Sequence, residues 1–178
     1  MSAIAAPDQT IPAGTWKIDP KHSRVEFSIR HMGIATINGA FTEFEGTLVG
    51  GEAPSLAGTI KVASVDTRDK DRDGHLQTPD FFDAERHPEL RFTSTRFQPG
   101  KVVGELTIRG VTREVELEAR VSGAGTDPWG NERLGIELEG EIDRHDFGVS
   151  WNTPLPTGGL LLGDRVRLSA GFSAVKEA

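Results

Sequence analysis

Arg113 to Val121 reads REVELEARV: Val115, Leu117, Ala119 and Val121 take alternate positions, and Glu114, Glu116, Glu118 and Arg120 fill the places between. Successive side chains of an extended chain point to opposite faces, so this period of two puts an apolar face on a core and a charged face in water. The stretch reads as a half-buried antiparallel strand. The pattern recurs. Val25, Phe27 and Ile29 alternate with Arg24, Glu26, Ser28 and Arg30; Leu56, Gly58, Ile60 and Val62 with Ala57, Thr59, Lys61 and Ala63; Leu134, Ile136, Leu138 and Ile142 with Gly135, Glu137, Glu139 and Glu141. Further strands are predicted over Leu90 to Phe97, Val102 to Arg109 and Asp164 to Val175. A curved strand is predicted over Thr36 to Val49, where Phe41 and Phe44 share a face only if a bulge near Gly39 or Gly46 resets the register.

Turn signals separate these runs: Gly50-Gly51, Pro99-Gly100, Gly110, Gly123 to Gly130 with Pro128, and Pro154 to Gly159. About eight or nine short strands, each with one apolar face, imply an all-β sandwich or closed barrel. The short, hairpin-like connections favour an extended up-and-down antiparallel β-barrel of about eight strands. Two places suit short helices, around Asp71 to Thr78 and around Arg144 to Trp151. Residues 1–14 are small, polar and proline-bearing and read as a flexible leader, leaving 15–178 as one domain without internal repeats.

The 178 residues suffice for one well-buried core. A formal net charge of −7 argues against a general nucleic-acid or anionic-membrane surface. Cysteine is absent, which removes disulfides, a thiol nucleophile and thiolate metal sites from consideration. MSAIAAPDQTIPAGTW at the N-terminus has neither a basic n-region nor a sustained apolar run, and no segment has the length of a membrane span. The expectation is a cytoplasmic protein with no integral membrane association.

Asp66 to Phe92, DTRDKDRDGHLQTPDFFDAERHPELRF, is the long passage that strand wall does not explain. Asp69, Asp71 and Asp73, followed by Gly74 and Asp80, imitate an EF-hand loop. The segment before it reads as strand, and Pro79 and Pro88 interrupt a second helix, so a solvated acidic turn with an aspartate cap is preferred. The five histidines (His22, His31, His75, His87 and His145) form no ligand pair at metal spacing. His22 and His145 read as surface residues, whereas His31 and His75 are better placed near a barrel mouth. No GxSxG elbow or phosphate loop is present, and no catalytic residue, metal ligand or cofactor is assigned. Phe81-Phe82 and Phe147 to Trp151 either plug the barrel or line its entrance. Arg72, Arg109, Arg113 and Arg144 either form salt bridges with the acidic segment, which is the preferred reading, or meet a ligand's anionic head.

An eight-stranded barrel is just wide enough to be filled by side chains or to hold one ligand. The inward positions mix bulky residues with small ones, Gly58, Gly104, Ala119 and Ala170 among them. Small residues either leave room for a ligand or fit the taper of a filled core, and the pattern alone leaves both open. Any cavity would be apolar.

Four stretches together resemble the YceI family of bacterial polyisoprenoid-binding proteins: Thr15 to Leu48, Val62 to Thr95, Gly104 to Leu117 and DRHDFGVSW at Asp143 to Trp151. The resemblance implies a lipocalin-like barrel with a long apolar cavity for an isoprenoid chain, often in a homodimer, and no inherited catalytic residues. It tips the open choice towards a cavity. On this reading Phe27, Ile29, Ile60, Phe92, Leu106, Leu117, Ile136, Leu138 and Phe172 line a tunnel for an isoprenoid or other long-chain amphipathic lipid. His31, Arg72, His75 and Trp151 would meet its polar head, a quinone or prenyl phosphate being examples. The competing expectations are an enzyme with His31 or His75 as base at the barrel mouth, and a dimeric structural or stress protein with a filled core.

Overall fold

Every strand of the chain pairs antiparallel with its neighbours, and the last returns to the first. The computed structural model describes residues 9–178. Its elements run β1 (Gly14–Ile18), β2 (Arg24–His31), β3 (Ala35–Phe41), β4 (Phe44–Gly50), β5 (Ser55–Lys61), β6 (Val65–Asp66), α1 (Lys70–Leu76), β7 (Glu89–Gln98), β8 (Lys101–Ile108), β9 (Val111–Thr126), β10 (Glu132–Asp143) and β11 (Leu162–Lys176). The sheet order β1-β4-β5-β7-β8-β9-β10-β11 closes into a barrel because β11 also pairs with β1. Closure satisfies both edges, which removes the exposed backbone of an open sheet.

The other three strands are upper halves of kinked strands. Trp16 of β1 faces Lys176 at one end of β11, while β2 pairs with β11 from Leu162 to Gly171, so β1 and β2 follow one path broken at Asp19–Ser23. Likewise β4 pairs with β5 and β3 with β6, breaking at Thr42–Glu43 and at Val62–Ser64. The three breaks are tied to one another and to their neighbours: Asp19 N donates to Ser173 O (2.8 Å), Thr42 N to Ser64 O (3.2 Å), Lys61 N to Glu43 O (2.9 Å) and Val62 N to Pro88 O (2.9 Å). The phase change between Phe41 and Phe44 is therefore real, but its cause is a break at Thr42–Glu43 and not a bulge at Gly39 or Gly46.

The first kink is built by Asp19. Its Oδ1 accepts from Lys21 N (3.0 Å), Pro20 opens the 3-10 turn Pro20–His22, and Oδ2 meets His22 Nδ1 (2.7 Å) and Arg133 Nη1 (3.0 Å). Arg133 Nε reaches Asp127 Oδ2 at 2.9 Å, linking the kink to the β9–β10 turn. These ion pairs hold both carboxyls below the usual range: for Asp19 the His22 and Arg133 hydrogen bonds bring it to about 2, and for Asp127 the Arg133 bond is the leading cause.

One end of the barrel is solid. Trp16, Leu48, Leu56, Val102, Val121, Leu134, Ile136 and Ala174 pack there, and Leu134 and Ile136 are each only 1 % exposed. Ile11 joins this core at 3 % exposure, Trp16 Nε1 donates to Pro12 O (3.1 Å), and Gln9 exchanges two hydrogen bonds with the backbone of Val121. Residues 9–14 are thus part of the folded wall, which corrects the flexible leader over 1–14; the remainder of that expectation, residues 1–8, lies outside the described residues. A second core of Phe41, Val62, Val65, Phe81, Leu90, Ile108, Ile142, Phe147 and Val149 gathers at the opposite end.

Candidate functional site: a two-chambered apolar bore

From mid-barrel to this second cluster, whose side chains line the space, the barrel is hollow. A lower chamber of about 150 Å³ lies at mid-barrel, and an upper chamber of about 250 Å³ lies above the strand kinks. Phe27, Phe41, Leu90, Ile108 and Leu168 line both, so the two adjoin. Protein interiors tolerate few voids larger than a water molecule, and apolar cavities stay dry and accept apolar ligands. A bore of this length is not a packing defect, and it overturns the filled-core alternative.

Strand phase placed most of the wall correctly. Phe27, Ile60, Phe92, Leu106, Leu117, Leu138 and Phe172 line the lower chamber, and Ile29 and again Phe27 the upper. Ile136 is the exception. It faces Val121 and Phe172 across the sheet and packs into the solid end, off the bore. Its inward phase was right, but phase does not say how far along the axis packing gives way to space.

Of the small inward residues, Gly58 and Ala170 line the lower chamber, whereas Gly104, like Gly39, lies under an aromatic ring. A Cβ on Gly39 would collide with the Phe27 ring, and one on Gly104 would stand 2.5 Å from Phe92 Cζ. Each ring lies over a glycine of the next strand, so these glycines make room for wall aromatics rather than for a ligand. Beyond the breaks β2, β3 and β6 carry the wall on, and β6 pairs with β3 alone, so the sheet ends beside it.

The gap so left beside β6 is roofed by the segment from Thr67 to Pro88. Asp69 starts α1 by accepting from Asp71 N and Arg72 N, both at 3.0 Å. Asp73 Oδ1 accepts from Thr67 N (2.8 Å) and Thr67 Oγ1 (2.6 Å), and Asp80 Oδ2 meets His75 Nε2 (2.8 Å). The carboxylates of the apparent calcium loop are therefore spread over a cap, a turn and a histidine. Among the described residues no group of three or more His, Cys, Asp or Glu stands together as a metal site.

Four side chains predicted near the mouth, His31, Arg72, His75 and Trp151, all line the upper chamber. His75, Phe81 and Trp151 form an aromatic triangle with centroid separations of 5.0, 5.1 and 5.3 Å. Phe82 stacks edge-on against Phe41 at 5.8 Å. The aromatic connecting segments thus cover the barrel and line its chamber at the same time. Arg109, outside the bore, joins the two covers: Nη1 donates to Phe81 O (3.3 Å) and Gly148 O (3.2 Å). Arg72 Nε and Nη2 hold Thr67 Oγ1 (2.7 Å) and Thr67 O (2.6 Å).

Arg144, which strand phase could not place, also faces the upper chamber and is only 4 % exposed. The expected helix at Arg144 to Trp151 is a 3-10 turn, Arg144–Phe147, capped by Asp143 and ended by Gly148 in the left-handed region at φ 73°. That turn directs the guanidinium inwards, where Nε donates to Gly163 O (2.8 Å) and Nη1 to Val149 O (2.8 Å) and Trp151 O (2.9 Å). Its Nη2 has no hydrogen-bond partner. Burial pushes the guanidinium pKa down, opposed by the longer-range charges of Asp164 and Asp143. The salt bridges expected of Arg72, Arg109, Arg113 and Arg144 do not form among the described residues; their partners are carbonyl and hydroxyl oxygens.

The model of the YceI-like domain matches residues 16–174, almost the whole barrel. The chain belongs to the YceI-like family. Protein YceI of Escherichia coli O157:H7 is 40% identical over 147 residues, covering 77% of each chain. Among solved structures, Burkholderia cenocepacia BcnA superposes with a TM-score of 0.76 at 26% identity, over 88% of this chain and 98% of that one. A protein of Saccharophagus degradans described as a polyisoprenoid binding domain, implicated in plant cell wall breakdown, superposes with a TM-score of 0.70 over 91% of this chain and 98% of that one. At 14% identity this last likeness speaks to the shared YceI-like barrel alone.

Proposed function

We propose that this YceI-like barrel binds one amphipathic isoprenoid lipid, with the tail along the lower chamber and the polar head in the upper. The observation that carries the reading is the pair of adjoining apolar chambers inside the barrel, with Phe27, Phe41, Leu90, Ile108 and Leu168 common to both linings. The lower chamber offers a tail almost nothing but hydrocarbon and aromatic surface, against which each buried methylene contributes about 0.8 kcal/mol. Arginine and histidine side chains join the lining only in the upper chamber, which suits a molecule with one polar end. The description of the Saccharophagus domain supplies the isoprenoid class. Storage or carriage, rather than turnover, fits His75, which is held by Asp80 and two rings.

Native mass spectrometry of protein purified from its own host tests this. The expected spectrum carries a hydrophobic adduct that organic solvent strips and added geranylgeraniol replaces. Protein that arrives bare and then takes up no prenyl compound would overturn the reading. The same spectrum tests the homodimer that we also propose for this barrel, by a species at twice the chain mass.

A further inference from the structure

The polar side chains of the upper chamber are of one kind. His31, Thr67, Arg72, His75 and Arg144 line it, and no aspartate or glutamate does, in a chain whose acidic residues outnumber its basic ones by 27 to 20. Among the described residues neither arginine has a carboxylate partner, whereas Arg24, Arg133 and Arg167 on the outer surface do. A buried guanidinium stays charged, and a buried charge without a counter-ion is costly. At Arg144 the cost is visible at one atom, Nη2, which is buried and donates to nothing while three carbonyls occupy the rest of the fork.

We propose that the upper chamber selects an anionic head group, a phosphate or carboxylate, and holds it with Arg144 and Arg72. The inference rests on the bore being the lipid site and narrows what that lipid is. An anion brings the acceptor oxygens that Nη2 lacks and the negative charge that the lining lacks, and arginine meets such oxygens with short charge-assisted bonds. His31 and His75 add donors from β2 and α1, and Trp151 closes on the first carbons of the tail. Nη2 is sealed, so the head reaches the Arg144 fork by displacing the bonds that the neighbouring Nη1 makes to the carbonyls of Val149 and Trp151, residues that line the same chamber.

Two ligands that differ only in the head separate this inference from the reading beneath it. Delipidated protein is titrated with geranylgeranyl phosphate and with geranylgeraniol by isothermal calorimetry, with inorganic phosphate as control. The expected result is that both bind and the phosphate binds at least about tenfold tighter, the worth of one charge-assisted bond. Equal affinities would overturn the head-group inference and leave the isoprenoid reading intact, whereas binding of neither removes both. Arg144→Gln and Arg72→Gln should each reduce the phosphate-to-alcohol ratio by about tenfold; a ratio kept at the wild-type value in both variants overturns the assignment. Arg144→Gln also gives up bonds to three carbonyls, so if it does not fold, the wild-type complex decides. A crystal structure with phosphate oxygens within about 3 Å of the Arg144 guanidinium supports the assignment, and one with the phosphate elsewhere rejects it.

Discussion

The two ends of the barrel are made from the same strands and have opposite characters. At one end β1, β4, β5, β8, β9, β10 and β11 run unbroken into a solid core around Trp16, Leu134 and Ile136. At the other, three consecutive strands have broken and run on as β2, β3 and β6, the sheet ends at β6, and the Thr67 to Pro88 segment with the Arg144 turn covers the chamber there. Alternation is equally regular in both halves. A period of two therefore builds the wall, and it is the change of direction at Asp19–Ser23, Thr42–Glu43 and Val62–Ser64 that decides whether the wall encloses packing or space.

The contrast is broken most severely from the solid end. Leu134→Ala removes a side chain that is 1 % exposed where the strands cannot collapse inwards, so a loss of roughly 2–5 kcal/mol is expected from denaturant unfolding. The same truncation at Leu168, half-buried on the bore, should cost clearly less. Equal losses would mean that the two ends are packed alike.

A second change acts on the hollow end. Leu168 lines both chambers, and Leu168→Trp should block the passage between them. Affinity for a long prenyl alcohol is expected to fall at least about tenfold, or 1.4 kcal/mol, in a chain that still unfolds cooperatively. Calorimetric titration reads the affinity; an unchanged value would show that the tail does not pass Leu168.

The cover should be separable from the barrel. Asp69→Ala removes both cap bonds of α1 and should cost about 1 kcal/mol, read as faster amide exchange in Lys70–Leu76 with the protection of β9 and β10 unchanged. Loss of protection throughout would mean that cover and wall unfold as one.

The smallest effect is one of pH at the first kink. His22 and Arg133 lower the Asp19 carboxyl from 3.8 to about 2. A carboxyl depressed in the folded state contributes stability that is fully present above its unfolded value, near 4, and is lost as pH falls towards 2. Asp19→Asn should therefore flatten the melting temperature between about pH 4 and pH 2 and lower it modestly above. An acid limb identical to wild type in that window would remove Asp19 from the account.

Much of this was legible in the chain. REVELEARV and its counterparts carry their facing on their own, because alternation is a local property of an extended backbone, and the strand edges at Leu90, Val102 and Asp164 fell within a residue or two of the observed ones. The cap at Asp69 was legible for the same reason, its two acceptors lying two and three residues away. The break at Thr42–Glu43 could be sensed from the phase conflict between Phe41 and Phe44 but not located, since the bonds that fix it come from Ser64 and Lys61. Strand β1 was not predicted, because its partners β4 and β11 lie far along the chain. Arg144 read as one of four arginines expected to pair with the acidic segment or a ligand's anionic head, and nothing near it in sequence says that its acceptors are the carbonyls of residues 149, 151 and 163.

By itself the sequence determined an all-β barrel wall with a greasy inner face, since side-chain period and turn chemistry act over a few residues and need no distant partner. The tertiary structure alone decided where that wall is filled and where it is hollow, which put Ile136 in the solid end and the upper arginines against a cavity. Volume and charge inside a closed sheet are set by strands that meet across the barrel, and such meetings leave no periodic trace in the chain.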